Sequence, residues 1–174
     1  MLPTALALTI LMAAVADTRP MVLMTSDFEN AAGIPRENRY PRCGGSNVSP
    51  ELLWAVAPAA AKSFVVTMVD DTVTPHGWSH WLVVDIPPGV HELPRGVRVL
   101  PAPAKAIVSN FGDAFYDGPC PPPGSGMHHY RLTVWAMPVA HTTIAPDAKA
   151  DQVIADLTKT ALAHAAIGGW ASPD

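Results

Sequence analysis

Charge is scarce in this sequence. Only 15% of its 174 residues are Asp, Glu, Lys or Arg, and 15 acidic side chains against 11 basic ones leave a net charge of -4. A mildly acidic chain without a basic cluster has little with which to neutralise phosphates and release their counterions, so nucleic acid is not an expected partner. No basic amphipathic stretch is present to hold the chain on a membrane surface. The one long apolar run, residues 2–16 (LPTALALTILMAAVA), falls short of the roughly 20 residues that span a bilayer comfortably. Also missing are a G-x-S-x-G nucleophile elbow, an H-E-x-x-H helix and a glycine pattern that would cradle a phosphate or a dinucleotide. His76 and His80 are four residues apart, but Gly77-Trp78-Ser79 between them reads as a turn entering a strand rather than one helical face. These absences argue for a non-enzymatic chain with no metal and no cofactor.

The apolar run ends in Ala14-Val15-Ala16, the small-x-small pattern of a cleaved signal peptide. The expected organisation is therefore a leader over residues 1–16 and a single domain over 17–174, working in the periplasm or outside the cell. Cysteine is limited to Cys43 and Cys120. Export would permit a bridge between them, with two separate buried thiols as the alternative.

Glycine (12) and proline (19) are plentiful and give turns and loops much of the architecture. Residues 63–69 (SFVVTMV), 80–86 (HWLVVDI) and 129–137 (HYRLTVWAM) are rich in β-branched and aromatic types and read as strands. Between them, residues 89–115 and the stiff 117–126 segment (DGPCPPPGSG) read as loops. One helix is expected from about Asp147 to Ala166, with Pro146 at its start, Val153, Leu157, Ala161 and Ala165 on one face, and Gly168-Gly169 stopping it. The expected class is mainly β, with that helix covering one side.

The polar side chains at the strand ends could form one patch from distant segments. His80 lies where a turn becomes a buried strand, flanked by Trp78 and Trp81, and Asp70 or Asp71 could accept its ring N–H. The proline-rich loop delivers His128, with Tyr130 beside it. A serine among Ser79, Ser109 and Ser125 meeting a histidine would make a weak hydrolase. Taken singly, each feature has a structural explanation, and a lone strand-end histidine is satisfied structure more often than a ligand-binding group.

Several motifs in order carry a resemblance. Cys43-Gly44-Gly45-Ser46-Asn47-Val48-Ser49-Pro50 with Leu53-Trp54, the strand opening Lys62-Ser63-Phe64, then Gly77-Trp78-Ser79-His80-Trp81, and finally Gly118-Pro119-Cys120-Pro121-Pro122 with His128-His129-Tyr130 resemble the phosphatidylethanolamine-binding protein family. The likeness runs roughly from Val22 to Ala140 and is nearest to the small exported bacterial members related to the Raf kinase inhibitor protein. It implies a central antiparallel sheet packed on a second, smaller sheet, with peripheral helices including one near the C-terminus. It also implies a small anion pocket with His80 and His128 in its wall, Tyr130 and the Pro121-Pro122 backbone beside them, and Trp78 at the rim. Asp70 or Asp71 would represent the first aspartate of the family's D-P-D-A-P segment. Either alignment loses the second carboxylate, to Thr72 or Val73, and His129 replaces the usual arginine.

The implied function is binding of a small anion or phosphorylated headgroup, with both histidines donating hydrogen bonds and Asp71 orienting His80 or touching the ligand. The alternative is a protein-interaction module, such as a protease inhibitor. A monomer and a homodimer fit the sequence equally.

Overall fold

The computed structural model describes residues 19–145 and 147–173, so the expected leader and Pro146 lie outside the described residues. In chain order the strands are β1 (Val22–Met24), β2 (Ala32–Gly33), β3 (Leu52–Ala55), β4 (Ser63–Asp70), β5 (Trp78–Ile86), β6 (Glu92–Leu93), β7 (Lys105–Ala106) and β8 (His128–Met137). Helix α1 (Ala150–Thr160) and β9 (Ala163–Ala171) follow. Six strands form the larger sheet in the order β2-β9-β8-β4-β5-β7, and β1-β3-β6 form the smaller one. All pairings are antiparallel except β2 with β9.

The burial of β4 explains the layering. All eight of its residues are buried, and alternate side chains serve opposite faces. Phe64, Val66 and Met68 join Trp81, Val83, Leu132 and Val134 in the core that meets Leu23, Leu52 and Trp54 of the smaller sheet. Val65 faces the other way, into a second cluster with Leu82, Val84, Trp135 and Met137, which Val153 and Leu157 of α1 cover. Fully burying a leucine such as Leu157 contributes about 2–3 kcal/mol, enough to dock a helix of this length. The mainly β class with two sheets and a C-terminal helix agrees with the expectation.

The helix is shorter than the sequence suggested. It ends at Thr160, Ala161 is extended (φ -68°, ψ 144°), and the Leu162 N–H donates to the Ala136 carbonyl at 2.8 Å. Residues 163–171 are instead β9, paired with β8 at every position from His128↔Ala171 to Ala136↔Ala163. An alanine-rich segment supports a repeat of four and a repeat of two equally well. Pairing along the whole of β8 satisfies backbone groups that a prolonged helix would leave unbonded at that edge. Gly168-Gly169 thus lie inside a strand rather than capping a helix. At Gly169 an added Cβ would sit 2.6 Å from Ile34 Cγ1, so the missing side chain admits Ile34 to the core.

Candidate functional site

Three adjacent strand ends build the site. Asp70, the last residue of β4, lies opposite Trp78 on β5 and Tyr130 on β8. The two-residue period then puts Asp70, Trp78, His80, His128 and Tyr130 together. With Tyr40, Arg42, Val73, Asn110, Phe111, Cys120 and Pro122 they line a cavity of about 480 Å³.

Both histidines are buried and oriented through Nδ1. The His128 Nδ1–H donates to Asp70 Oδ2 at 2.6 Å. The His80 Nδ1–H donates to the Asp117 carbonyl at 2.7 Å, and the Asp117 N–H returns a bond to the His80 carbonyl at 3.1 Å. A carbonyl only accepts, which fixes the tautomer and leaves Nε2 as the free nitrogen of His80. Burial lowers the His80 pKa to about 4, overriding the Asp117 carbonyl and the Asp70 charge, which favour the cation. At neutral pH, His80 therefore offers a lone pair and not the donated hydrogen bond that the sequence suggested. Burial, the Asp70 charge and a hydrogen bond to Asp70 push the Tyr130 hydroxyl above its ordinary range, so it keeps its proton.

Aromatic rings form much of the wall. Phe111 packs on His80 at 4.9 Å, on Tyr40 at 5.1 Å and edge-on to Trp78 at 6.2 Å, while Tyr130 meets His80 edge-on at 5.1 Å. Trp78 is 39% exposed and forms the rim. Arg42 adds a permanently charged residue to a wall that also carries Asp70, Asn110, two imidazoles and four aromatic rings.

Loops far apart in sequence are tied together around this wall. A disulfide joins Cys43 to Cys120, with Cα atoms 5.4 Å apart, and so fastens the segment carrying Tyr40 and Arg42 to the proline-rich loop. Asn47, in the left-handed region at φ 54°, donates from Nδ2 to the Tyr116 carbonyl and accepts from the Gly118 N–H, both at 2.8 Å. Asparagine tolerates that conformation better than most residues, which accounts for its place in the Gly45-to-Pro50 motif. Gly118 is needed for close approach, since a Cβ there would fall 2.0 Å from the Asn38 carbonyl oxygen. The Ser79 Oγ–H donates to Asn110 Oδ1 at 2.8 Å and accepts from the Asn110 N–H at 2.9 Å, anchoring the loop that carries Phe111.

Of the residues expected at the site, Asp70, Trp78, His80, Pro122, His128 and Tyr130 converge. Asp71 does not. One residue past Asp70, it points outward, and its carboxylate accepts from Arg131 at 2.8 Å instead of reaching His80. Pro121 is buried and leaves the wall to Pro122. His129 is exposed on the opposite side of β8 from His128 and Tyr130, so its replacement of arginine does not alter the cavity wall.

Tyr40, Arg42, Asn110 and Phe111 were missed by sequence reasoning. A Cys43–Cys120 bridge was the signal that could have brought Tyr40 and Arg42 in; nothing in the local pattern marks Asn110 or Phe111. His76 lies away from the cavity, where Nδ1 meets Asp151 Oδ2 at 2.9 Å. Ser79, Ser109 and Ser125 bond to Asn110, the Phe111 N–H and the Pro122 carbonyl respectively, rather than forming a serine–histidine pair. Among the described residues, no group of three or more His, Cys, Asp or Glu is arranged to hold a metal ion.

A cavity with a mostly apolar wall and a few convergent polar groups, set at the strand ends of a two-sheet β scaffold, has the form in which small-ligand sites are commonly found. The sequence profile described as phosphatidylethanolamine-binding protein matches residues 24–171, and the chain belongs to that family. The UPF0098 protein YbcL of Escherichia coli is 45% identical over 101 residues, a match covering 55% of each chain. A UPF0098 protein of Aquifex aeolicus is 35% identical over 152 residues, 86% of each chain. UPF0098 protein YbhB of E. coli is 34% identical over 154 residues, 84% of this chain and 97% of that one. Among solved structures, the crystal structure of E. coli YbcL, described as a new member of the mammalian PEBP family, aligns with a TM-score of 0.79 at 31% identity. It covers 87% of this chain and 98% of YbcL.

Proposed function

We propose that the cavity binds a small anion, a free phosphate or a phosphorylated headgroup. The observation that carries this reading is the convergence of His80, His128, Tyr130 and Arg42 on one cavity of about 480 Å³. Among the described residues Asp70 is the only carboxylate in its lining, and its Oδ2 accepts from His128, which offsets its repulsion of an anion. Arg42 is a donor to ligand oxygens, while the Tyr130 hydroxyl gives its one proton to Asp70 and shapes the pocket beside the ligand. His80 accepts from a protonated ligand oxygen, or takes up a proton as a fully ionised anion enters. Val73 lines the wall where a second carboxylate would favour an ammonium group, so phosphate itself accounts for more of the recognition than ethanolamine does.

The same reading places the protein outside the cytoplasm, as a member of the small exported branch related to the Raf kinase inhibitor protein, with a mature single domain beginning near Asp17. The Cys43–Cys120 disulfide supports an oxidising compartment. A Mycobacterium tuberculosis relative named as a candidate lipoprotein, LppC, also supports it, at 35% identity over 121 residues, 70% of this chain and 57% of its own.

Calorimetric titration with inorganic phosphate and with phosphorylethanolamine tests the binding. The double variant His80→Asn, His128→Asn should lose measurable affinity for both while retaining its circular dichroism spectrum. Unchanged affinity in that folded variant would overturn the assignment.

A further inference from the structure

Four aromatic side chains, Tyr40, Trp78, Phe111 and Tyr130, line the anion cavity, and a phosphate alone makes no use of their ring faces. Phe111 is the hub of the group, its centroid 5.1 Å from that of Tyr40 and 6.2 Å from that of Trp78. The Phe111 and Trp78 planes stand at 80°, so the two rings make a corner in the wall, with Trp78 at the exposed rim. The paired Ser79–Asn110 bonds hold the neighbouring loop, and with it Phe111, in place without a ligand.

Side-chain acceptors in the same wall are largely engaged. Each oxygen of the buried Asp70 carboxylate already accepts a bond, Oδ1 from the Thr72 N–H at 2.9 Å and Oδ2 from His128 at 2.6 Å. Asn110 Oδ1 accepts from the Ser79 N–H at 2.6 Å and from the Ser79 Oγ–H at 2.8 Å. Val73 adds only methyl groups to the lining. A primary ammonium group brings three N–H donors, which are costly to take out of water unpaired. A quaternary ammonium brings none, and its methyl-covered charge is attracted to the faces of aromatic rings, to tryptophan most strongly.

We infer that the cavity selects a phosphate ester whose other end is a quaternary ammonium, phosphorylcholine being the simplest, and discriminates against the primary ammonium of phosphorylethanolamine. The inference rests on the anion reading above and names the second half of the ligand. Arg42 and the two histidines serve the phosphate end. The corner of Trp78 and Phe111, with Tyr40 packed on Phe111, serves the trimethylammonium end. Asp70 attracts that charge through space, with no N–H contact required. Placing a cation over an aromatic face strengthens binding by about fivefold at an exposed site and about thirtyfold at a desolvated one. The rim position of Trp78 lies between these cases, so the preference for phosphorylcholine over phosphorylethanolamine is about tenfold.

Calorimetric titration of the intact, oxidised protein with inorganic phosphate, phosphorylethanolamine, phosphorylcholine and neohexyl phosphate tests the selectivity. The last is the carbon isostere of phosphorylcholine, with the same shape and no charge on its tail. Phosphorylcholine should bind about tenfold more tightly than either phosphorylethanolamine or the isostere. Trp78→Leu, which keeps apolar bulk without a ring, should bring the ratio of phosphorylcholine to phosphorylethanolamine affinity close to one, and Trp78→Phe should keep most of it. Sedimentation with phosphatidylcholine vesicles separates the two sources of this chemistry. Retention that soluble phosphorylcholine competes away assigns a lipid headgroup, and binding of the soluble ester without retention assigns a free ester. Phosphate binding with equal affinities for the two amino esters, an isostere as tight as phosphorylcholine, or an unchanged ratio in folded Trp78→Leu would overturn the inference and leave the anion reading standing. No affinity for phosphate or for any of the esters would overturn both.

Discussion

Sulfate affinity should rise steeply as pH falls, because His80 must gain a proton to face a fully ionised anion. Sulfate stays a dianion across the working range, so the protein alone supplies the pH dependence. With its pKa lowered to about 4 by burial, His80 is protonated in only about one molecule in a thousand at pH 7. An anionic charge about 4 Å from the imidazolium stabilises it by about 4 kcal/mol at an effective dielectric of about 20. That energy corresponds to roughly three pKa units and carries His80 in the complex to near 7. The complex then holds the extra proton and the free protein does not. Affinity accordingly grows by up to about tenfold per pH unit from 7 down to about 4, and levels off below the free pKa.

Isothermal titration calorimetry in two buffers of different ionisation enthalpy measures both the slope and the proton uptake, which should approach one per sulfate near pH 5.5. The variant His80→Asn, whose side-chain N–H can replace the Nδ1–H bond to the Asp117 carbonyl, should flatten the profile. His128 and Asp70 remain in that variant, so the difference belongs to His80. A sulfate affinity independent of pH between 5 and 7, or an identical slope in His80→Asn, would refute the reasoning.

Three further outcomes follow from the geometry. Replacing both cysteines by serine opens the cross-link between positions 77 residues apart, which the chain-entropy relation values at about 4.5 kcal/mol. Urea unfolding should show that loss, and phosphate affinity should fall with it as the Tyr40–Arg42 wall is released from the proline-rich loop. Gly118→Ala pushes a Cβ onto the Asn38 carbonyl and should cost stability of order 3 kcal/mol or more in the same assay, whereas an unchanged midpoint would show that the two segments separate freely. Val73→Asp places a second carboxylate in the cavity wall and should improve the preference for phosphorylethanolamine over phosphate in competition calorimetry. An unchanged ratio of affinities would reject that role for the position.

The long central strands were legible because SFVVTMV, HWLVVDI and HYRLTVWAM carry dense β-branched and aromatic runs that few other structures accommodate. The site was legible through its motifs, whose residues cluster once β4, β5 and β8 are placed side by side. Three points were not. Asp70 and Asp71 are adjacent and chemically identical, and only the phase of β4 decides which enters the cavity. Arg42 and Phe111 come from loops whose position depends on long-range ties, the disulfide for one and the Ser79–Asn110 bonds for the other. The segment after Thr160 is alanine- and glycine-rich, so helix and strand periodicities coincide there and the open edge of β8 decides the outcome.

Histidine-resolved NMR titration of the oxidised protein with inorganic phosphate and then with phosphorylethanolamine tests the central claim most directly. Saturable shifts at the ring protons of His80 and His128, with the exposed His76 and His141 unmoved, are the result the account predicts. Saturable binding that leaves His80 and His128 unmoved, or no binding of either compound at millimolar concentration, would contradict it.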